Sequence, residues 1–435
     1  MRALIITIIA LGLAGCEQAS SGPNGSYGAN PQLPAPQSSL IPTIHTATVT
    51  PWPANAAPQA PPGYTVTRYA EGLRHPRFVY LLANGDVLVV ESSTQASSGG
   101  FTAWVANQVQ RNAGALDESA NRITILRDAN RDGVVDYRGV FVAGLNQPFG
   151  VAALGGFIYV ANTDGVVRFP YAPGATSVSN GQQILALPHR AGDNGHWTRT
   201  LAPAPDGQSL FVSVGSSSNI ADHGMADERG RAAIWRFDPD GANAAIFASG
   251  IRNGAGLEFD PKTGELWTSV NERDMLGDNL APDYMTHVTP GGFYGWPYSY
   301  WGKNVDTRVE PQNPGLVATA LTPDFALGAH TASLGLHFYR GALLPDHYRN
   351  GAFVGQHGSW NRSQFAGYKV VFVPFSANGR PSGAIEDFLT GFLNAHQQAQ
   401  GRPVGVGEDA TGAILVADDL GDIVWRVAPS AQLRN

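Results

Sequence analysis

Arginine, acidic side chains and glycine concentrate in one stretch of this chain, residues 249–300. The stretch contains Arg252-Asn253, then the small-residue run 254–256, and later an oxygen-rich loop over 271–283. A guanidinium binds carboxylates through paired hydrogen bonds, and loop oxygens are the ligands that Ca²⁺ prefers. These residue types therefore suit an anionic, metal-bound planar ligand. The alternative interpretation is a structural ion pair for Arg252 and a solvated turn for the acidic loop.

A histidine with the features of a general base lies upstream, in a glycine-flanked loop. His196 follows Gly195 and comes just before Pro205-Asp206-Gly207, a turn that leads into a strand. A neutral imidazole can take a proton from a hydroxyl group near pH 7. A lone histidine is more often structural, so the spacing alone leaves both roles open.

Two further polar segments follow short apolar runs nearer the carboxyl end. One is the glycine-centred sequence 356–362, which carries His357 and Arg362, and the other contains Arg402. Cationic side chains in loops of this kind can hold an anionic ligand. A packed turn with Trp360 buried is the alternative for the first segment.

A second oxygen-rich loop has the spacing of a calcium-binding loop. Asp128, Asn130, Asp132 and Asp136 occupy its first, third, fifth and ninth positions, and a glycine occupies the sixth. The twelfth position is Gly139 instead of a bidentate glutamate, and strands flank the loop, so an EF-hand is excluded. A structural Ca²⁺ site and a metal-free turn held by Asp and Asn side chains both remain open.

Short strands are the elements that must position these residues. From residue 63 onward, short apolar runs alternate with turns rich in Gly, Asp, Asn and Pro, and this pattern recurs about six times. Glycine (52) and proline (30) are abundant among the 435 residues, and only 14% of them are charged. This pattern predicts an all-β fold, a β-propeller over 63–435, with its binding loops at one mouth of the central channel.

One part of the chain resembles the PQQ-dependent glucose/sorbosone dehydrogenase family, most closely its sorbosone dehydrogenase-like branch. It reads GIRNGAGLEFDPKTGELW and continues with NERD, LGDNL and GGFYGWPYSY, and the resemblance spans roughly residues 64–428. It implies a six-bladed propeller, PQQ and Ca²⁺ as cofactors, and hydride transfer from a sugar-type substrate, an aldose or a sorbosone-like compound. It also implies a quinone or cytochrome as electron acceptor. The strand from Tyr64 to Tyr69 is expected to complete the blade of the C-terminal strands.

The resemblance also implies catalytic and cofactor-binding residues. His196 would take the hydroxyl proton of the substrate, while Arg252 contacts the quinone. An Asp precedes the histidine in glucose-specific members, whereas Gly195 stands here, so specificity for glucose itself is not implied. The residues that the resemblance assigns to PQQ are Arg252, Asn253, His357, Arg362 and Arg402.

The calcium ion of the cofactor is assigned to the loop that follows the next strand. There the family uses two adjacent backbone carbonyls, which fall on Glu272 and Arg273, with Asp278 as a nearby carboxylate. A second carboxylate-binding arginine of the family, two residues after Arg402, is replaced by Val404. One contact to the cofactor is therefore missing or supplied elsewhere.

The first residues predict a lipoprotein signal. A short basic start and an apolar run end in LAGC, whose cysteine, Cys16, is the only one in the chain. Because this box resembles that of bacterial lipoproteins, residues 1–15 are expected to be removed and Cys16 to carry a lipid anchor in the membrane. Residues 16–62 indicate a flexible Pro/Ser-rich linker. The expected location is the cell envelope facing the periplasm, and Glu17 favours the outer membrane.

Other classes of function lack their signatures. The net charge of −7 and the absence of a Lys/Arg-clustered run argue against a nucleic-acid partner. No GxGxxG after a strand, P-loop, GxSxG or HExxH motif occurs, which weakens nicotinamide, nucleotide and hydrolase interpretations. Two alternatives on the same propeller remain, a Ca²⁺-dependent lactonase and a non-catalytic propeller that binds carbohydrate or an envelope partner.

Overall fold

The computed structural model describes residues 25–37, 44–96, 111, 114, 116, 118–190 and 194–430. The predicted signal peptide 1–15 and Cys16 lie outside these residues. Antiparallel strands dominate, and short helical segments occur at α1 (Pro314–Val317) and at the 3-10 helix Asp346–Arg349. Within the described ranges no helix is both long enough and apolar enough to cross a membrane.

Six sheets follow one another along the chain, and each forms one blade of a propeller. The strands of the first three blades are β3 (Pro76–Leu81), β4 (Val87–Glu91), β5 (Arg122–Arg127) and β6 (Tyr137–Ala143); β7 (Gly150–Leu154), β8 (Phe157–Asn162), β9 (Gly165–Pro170) and β10 (Gln182–Ala186); and β11 (Leu201–Pro203), β12 (Leu210–Val214), β13 (Ala233–Phe237) and β14 (Ala245–Ser249). The first strand of each blade contacts its counterpart in a neighbouring blade, so the first strands line the channel.

The remaining blades carry small additions. Their strands are β15 (Gly254–Phe259), β16 (Leu266–Val270), β17 (Pro282–His287) and β20 (Phe325–Ala329); β21 (His337–Phe338), β22 (Gly351–Gln356), β23 (Lys369–Pro374) and β24 (Glu386–Leu389); and β25 (Pro403–Glu408), β26 (Ile414–Asp418), β27 (Ile423–Pro429) and β2 (Tyr64–Ala70). The short strand β1 (Tyr27–Gly28) extends the fourth blade, and β18 (Ser299–Tyr300) pairs with β19 (Asn304–Val305). The predicted six-bladed propeller is confirmed.

The ring is closed by strands from the two ends of the domain. β2 pairs antiparallel with β27, with Tyr64 opposite Pro429 and Ala70 opposite Val424, so the expected completion of the last blade is confirmed. Joining the ends in one sheet leaves no unpaired edge between the first and last blades. The second strands are buried on both faces, as VLVVE in β4 and ILVAD in β26 show, which explains their continuous apolar runs.

Six apolar side chains, one from each blade, meet at the centre of the channel. They are Phe149, Trp197, Ala255, Leu334 and Val404, which form one buried cluster, and Phe78, which packs against it. We call these six residues the central layer. Each lies at or just before the start of a channel-lining strand, so the layer separates the channel end where these strands begin from the end where they finish.

The described parts of the expected linker do not behave as a flexible tether, because they lie against the propeller. His45 and Val49 form bridges to the fifth blade and the segment after it, and Ala47 is only 1% exposed. Trp52 packs against Trp425, with ring centroids 5.2 Å apart, and its Nε1 donates to Asp418 at 2.9 Å. In 25–37 the contact with the propeller is the pairing of β1 with β20, and in 44–62 it is made by side chains such as Ala47 and Trp52. Pro/Ser-rich composition concealed that packing.

The bond from Trp52 to Asp418 gives a stability prediction. Asp418 is fully buried, and burial raises its pKa to about 6 despite donors from Trp425, Arg402, Gly421 and Trp52. Trp52→Phe keeps the ring and removes one donor to this carboxylate, so we expect the free energy of unfolding at pH 8 to fall by about 1.5–3 kcal/mol. Chemical denaturation measures it.

The matched control for this measurement is Trp360→Phe. Trp360 is 38% exposed and its indole has no hydrogen bond to a described residue, so its replacement should change stability by less than about 0.5 kcal/mol. Equal, small effects of the two substitutions would show that the amino-terminal segment does not rest on the propeller in solution.

Candidate active site

The topology brings most of the predicted site residues to one end of the channel. His196, Arg252 and Arg402 come shortly before β11, β15 and β25, and Glu272 and His357 come shortly after β16 and β22, which are the second strands of their blades. Because channel-lining strands run in one direction and second strands in the other, all these positions lie at the same mouth. These residues therefore share one mouth of the channel, above the central layer.

His196 is held in a single tautomer at this mouth. Its Nδ1 lies 2.8 Å from the Ser216 hydroxyl, and that hydroxyl donates to the carbonyl oxygen of Ser218 at 2.7 Å. A carbonyl only accepts, so the single hydroxyl proton is committed there and His196 Nδ1–H must be the donor to Ser216. The Nε2 of the neutral ring then carries a lone pair, and no described residue donates to it. This nitrogen is arranged as a proton acceptor.

The surroundings of His196 keep the ring neutral. Burial, and then the positive charges of Arg252 and Arg231, lower its pKa well below the ordinary value, and Asp274 opposes them only in part. Both causes disfavour the imidazolium. The ring is therefore available as a base at neutral pH.

Gly195 explains how the loop presents this histidine. Its φ is +58°, and a Cβ at this position would lie 2.0 Å from the carbonyl oxygen of Ser217. Any side chain here, including an aspartate, would force the loop away from Ser217 and move His196. Asn253 supports the other side, where its Oδ1 lies 3.3 Å from the Thr198 hydroxyl.

The guanidinium of Arg252 donates all its hydrogen bonds to oxygen atoms of neighbouring residues. It is 2% exposed and donates to the Glu272 carbonyl at 2.7 Å, to Asp274 at 2.9 Å and to Asn219 Oδ1 at 2.9 Å. Further bonds reach the Asn219 and Asn271 oxygens. The structural ion pair, left open by the sequence, is thus present, and Arg252 acts on His196 through its charge. A contact with a quinone requires that one of these bonds be given up.

Asp274 connects several residues of the site. In the sequence it is only one of several acidic residues in the loop. Burial alone would raise its pKa, but Arg252, His330 and Asn361 outweigh burial and hold it well below the usual range. Asn361 donates to it at 2.8 Å, and Arg362 beside it donates to Asn279 at 2.7 Å. These contacts tie the 356–362 segment to the acidic loop, so the two predicted segments form one wall of the site.

The expected calcium ligands have mixed surroundings. The Glu272 carbonyl accepts the Arg252 bond, so a Ca²⁺ ion at this oxygen requires that Arg252 move. The Glu272 side chain is 2% exposed, its Oε2 has no hydrogen-bond partner in the described structure, and burial raises its pKa to about 7. An orphaned, buried carboxylate oxygen suits a hard cation.

The other two residues named for this calcium ion do not add side-chain ligands at that point. The Arg273 side chain turns away to Asp306, with an N–O distance of 2.6 Å but without the angles of a hydrogen bond. Asp278 accepts the backbone N–H of Ser363 at 3.1 Å, which binds it to the 356–362 segment.

Opposite His196, a cationic group lines the mouth. His357 Nε2 lies 3.0 Å from both oxygens of Asp419, and the Arg77 guanidinium pairs with the same carboxylate. Burial lowers the pKa of His357, and Asp419 opposes this only in part, so the ring is neutral and its N–H is spent on Asp419. Arg402 is 6% exposed and has no carboxylate partner among the residues described. Arg402 therefore leaves one positive charge on this side of the mouth that no described carboxylate balances.

Arg77 was missed by the sequence reasoning. It lies in β3, 8% exposed, with its guanidinium carbon 5.4 Å from the ring centroid of Trp197, the residue after the candidate base. The Nε atoms of Arg77, Arg362 and Arg402 are buried without a partner in the described structure. Such orphaned donors suit the carboxylates of an anionic ligand. The signal was present in the sequence, because Arg77 stands at the start of a channel-lining strand, as Arg252 and Arg402 nearly do.

Val404 explains why a second arginine is absent from the last blade. Its side chain is fully buried in the central layer, where a guanidinium would have no partner. Arg77 reaches the same mouth from the first blade, so this arginine can supply the carboxylate contact that a valine cannot make.

The loop 128–136 lies away from this mouth, at the far end of β5. Asp128 accepts from the backbone N–H groups of Asp132 and Gly133, and Asp136 accepts from Ala129. No group of three or more acidic, His or Cys side chains suited to a metal occurs in the part of the chain that is described. These contacts are those of a turn held by Asp and Asn side chains, and the structural Ca²⁺ site at Asp128, Asn130, Asp132 and Asp136 stays a prediction.

Comparison with known proteins supplies a family. A family model described as TrAA12-like matches residues 58–291 and 316–428. An uncharacterized protein of Borreliella burgdorferi is 33% identical over 250 residues, which cover 56% of this chain and 64% of that protein. A pyrroloquinoline quinone-dependent pyranose dehydrogenase of Coprinopsis cinerea is 26% identical over 427 residues, which cover 81% of this chain and 53% of that protein. The chain thus spans less than two thirds of either relative.

A solved structure supports the fold. The holo form of the pyranose dehydrogenase PQQ domain from Coprinopsis cinerea has a TM-score of 0.68 and 23% sequence identity, and the match covers 88% of this chain and all (100%) of that domain. At this identity the likeness establishes the propeller fold.

The tautomer and low pKa of His196 predict a pH response. In ¹⁵N-labelled protein without ligand, we expect Nδ1 protonated and Nε2 bare at pH 7, with protonation only well below the ordinary pKa of about 6.5. Any activity that needs the neutral base should therefore persist below pH 6.5 and fall as the pH drops through the lowered pKa. Ser216→Ala should increase the Nε2–H tautomer, whereas Ser213→Ala, a buried serine of the same blade, should not. Titration near or above pH 6.5 would contradict this account.

Proposed function

Because this chain belongs to the TrAA12-like family, we propose that it is a PQQ-dependent dehydrogenase that oxidises a sugar. The observation that carries the proposal is the bare Nε2 of His196 at the same mouth as the orphaned Nε atoms of Arg77 and Arg402. The first suits proton removal from a hydroxyl, and the second suits an anionic cofactor. The related pyranose dehydrogenase supports PQQ as that cofactor.

Each group has a distinct task. PQQ, when bound, would supply the hydride acceptor for the carbinol carbon. His196 Nε2 accepts the hydroxyl proton of the substrate, and Ser216 keeps the ring in the tautomer that can do so. Arg77, Arg362 and Arg402 would hold the carboxylates, and the central layer keeps water from entering from the far side of the channel. A hydroxyl group would become a carbonyl, or a hydrated aldehyde would become an acid. The hydroxyl proton would go to His196, and two electrons would leave the substrate with the hydride.

Calcium has a supported place in this proposal. The orphaned Oε2 of Glu272 and the carbonyls of Glu272 and Arg273 are candidate ligands, and Asp278 lies in the same loop. Arg252 donates a hydrogen bond to the Glu272 carbonyl, so its side chain must move when the ion binds there. Its charge would otherwise oppose a cation at that oxygen.

We further propose an aldose or a sorbosone-like compound as substrate and a quinone or cytochrome as electron acceptor. Gly195, which the loop geometry requires, supports a substrate other than glucose, since an aspartate cannot stand there without moving His196. The LAGC motif supports lipidation at Cys16 and a place in the cell envelope facing the periplasm, and Glu17 supports the outer membrane. The alternative, a lactonase, would need a central ion held by several carboxylates and Asn side chains from different blades. Among the described residues no three His, Cys, Asp or Glu side chains gather in a way suited to a metal.

Reconstitution tests the proposal. Purified protein is titrated with PQQ in Ca²⁺, and the absorbance of the quinone is followed on adding aldoses or sorbosone. Wild type should bind PQQ and turn over. His196→Ala should bind equally and lose about 10²–10⁴-fold in turnover. Chelation of Ca²⁺ should abolish turnover in wild type.

A pair of arginine variants separates binding from chemistry. Arg402→Met removes a buried donor and should weaken PQQ binding about tenfold or more, since bonds to charged groups contribute about 1.5–3 kcal/mol. Arg349→Met, which removes a partly exposed guanidinium of the fifth blade, should leave PQQ affinity unchanged. Absence of PQQ uptake by wild type would overturn the proposed function.

A further inference from the structure

A second cavity occupies the channel on the other side of the central layer. It has a volume of about 330 Å³ and is lined by the ends of the channel-lining strands of five blades. The side chains that face it include Tyr80, Leu257, His337, Arg340 and Glu408. Small-molecule pockets begin at about 300 Å³ and combine apolar walls with a few convergent polar groups, which is the composition here.

His337 presents an unused nitrogen in this cavity. Its side chain is 9% exposed, its Nδ1 lies 3.3 Å from Glu258, and its Nε2 is buried without a hydrogen-bond partner in the described structure. Burial would raise the pKa of Glu258, but Arg340 and His337 outweigh burial and lower it, so Glu258 is ionised. An ionised carboxylate only accepts, which places the proton of His337 on Nδ1. The Nε2 is then left as an unpartnered polar atom in a largely apolar surrounding.

The other charged side chains that line the cavity, Arg340 and Glu408, already have hydrogen-bond partners. Arg340 pairs with Glu258 and also donates to the carbonyls of Phe338 and Phe259 at 3.2 and 3.1 Å. Glu408 accepts the backbone N–H of Gly341 at 2.9 Å and is 8% exposed. The cavity therefore carries the Glu408 carboxylate, which accepts hydrogen bonds, and the unpartnered Nε2 of His337.

Apolar side chains form most of the cavity wall. Phe78, Tyr80 and Phe259 supply aromatic faces, and Leu201, Leu257 and Leu336 supply aliphatic ones. An uncharged ring with C–H faces fits these walls, and its hydroxyl groups, which can both donate and accept, fit Glu408 and the Nε2 of His337. A cation would lose its hydration for a single carboxylate. From this geometry we infer that the far end of the channel binds a neutral polyhydroxylated molecule of monosaccharide size.

This site is separate from the mouth that holds His196. The central layer lies between them, with Phe78 the one residue that both packs on the layer and lines the cavity. Binding here therefore needs neither PQQ nor Ca²⁺, and its failure would leave the proposed dehydrogenase function untouched. A sugar in this site would be held without reaction, as an effector or a tether to envelope carbohydrate.

Calorimetry on cofactor-free protein tests the inference. D-glucose, D-galactose and myo-inositol are titrated up to about 50 mM, in a buffer free of glycerol, with ethanolammonium as the cationic comparison. At least one neutral probe should bind saturably. His337→Phe, which removes the unpartnered Nε2 but keeps a ring, should weaken it about tenfold or more. His347→Phe, a largely exposed histidine of the same blade, should not change it.

Two further variants keep the result interpretable. His196→Ala should leave binding unchanged, because it alters only the opposite mouth. His337→Gln retains a polar end and should keep more affinity than His337→Phe, with circular dichroism melting confirming that both are folded. The inference is overturned if no neutral probe binds, if only ethanolammonium binds, or if binding is lost in His196→Ala but kept in His337→Phe.

Discussion

Three buried guanidinium groups at one mouth of the channel impose the constraint on which the rest of this structure depends. Arg252 is paired with Asp274 and Arg77 with Asp419, while Arg402 has no carboxylate partner among the described residues. Buried charge is costly unless it is paired or hydrogen-bonded, so the surrounding loops are shaped to deliver oxygen atoms. Burial, together with the charges of Arg252 and Arg231, keeps His196 neutral, and the charge of Arg402 suits an anion at this mouth.

The propeller makes this concentration of charge possible. All six channel-lining strands begin at the same end, so residues far apart in sequence, such as Arg77 and Arg402, reach one small volume. The central layer beneath them supplies an apolar floor, on which Trp197 also contacts the guanidinium of Arg77. Rigid strands hold the floor, and loops supply the chemistry, which is the usual division of labour in such folds.

The sequence allowed the architecture to be predicted because its signals are local. Alternating strands, turn residues and the mouth positions of His196, Arg252 and Arg402 follow from periodicity, spacing and resemblance. The pairings did not follow, because they join distant segments. Asp419 with Arg77 and His357, or Glu258 with His337, involves residues separated by as many as 342 positions. The docking of Trp52 on Asp418 was hidden for the same reason, since composition alone describes residues 16–62 as a tether.

The central claim is that one mouth of the propeller is a PQQ site built from these arginines and served by His196. A crystal structure of the protein soaked with PQQ and Ca²⁺ tests it most directly. The account predicts planar density on the central layer, with carboxylates at Arg77 and Arg402 and the quinone facing His196 Nε2. Density confined to the far cavity or to the outer surface, or an empty mouth at saturating PQQ, would contradict it.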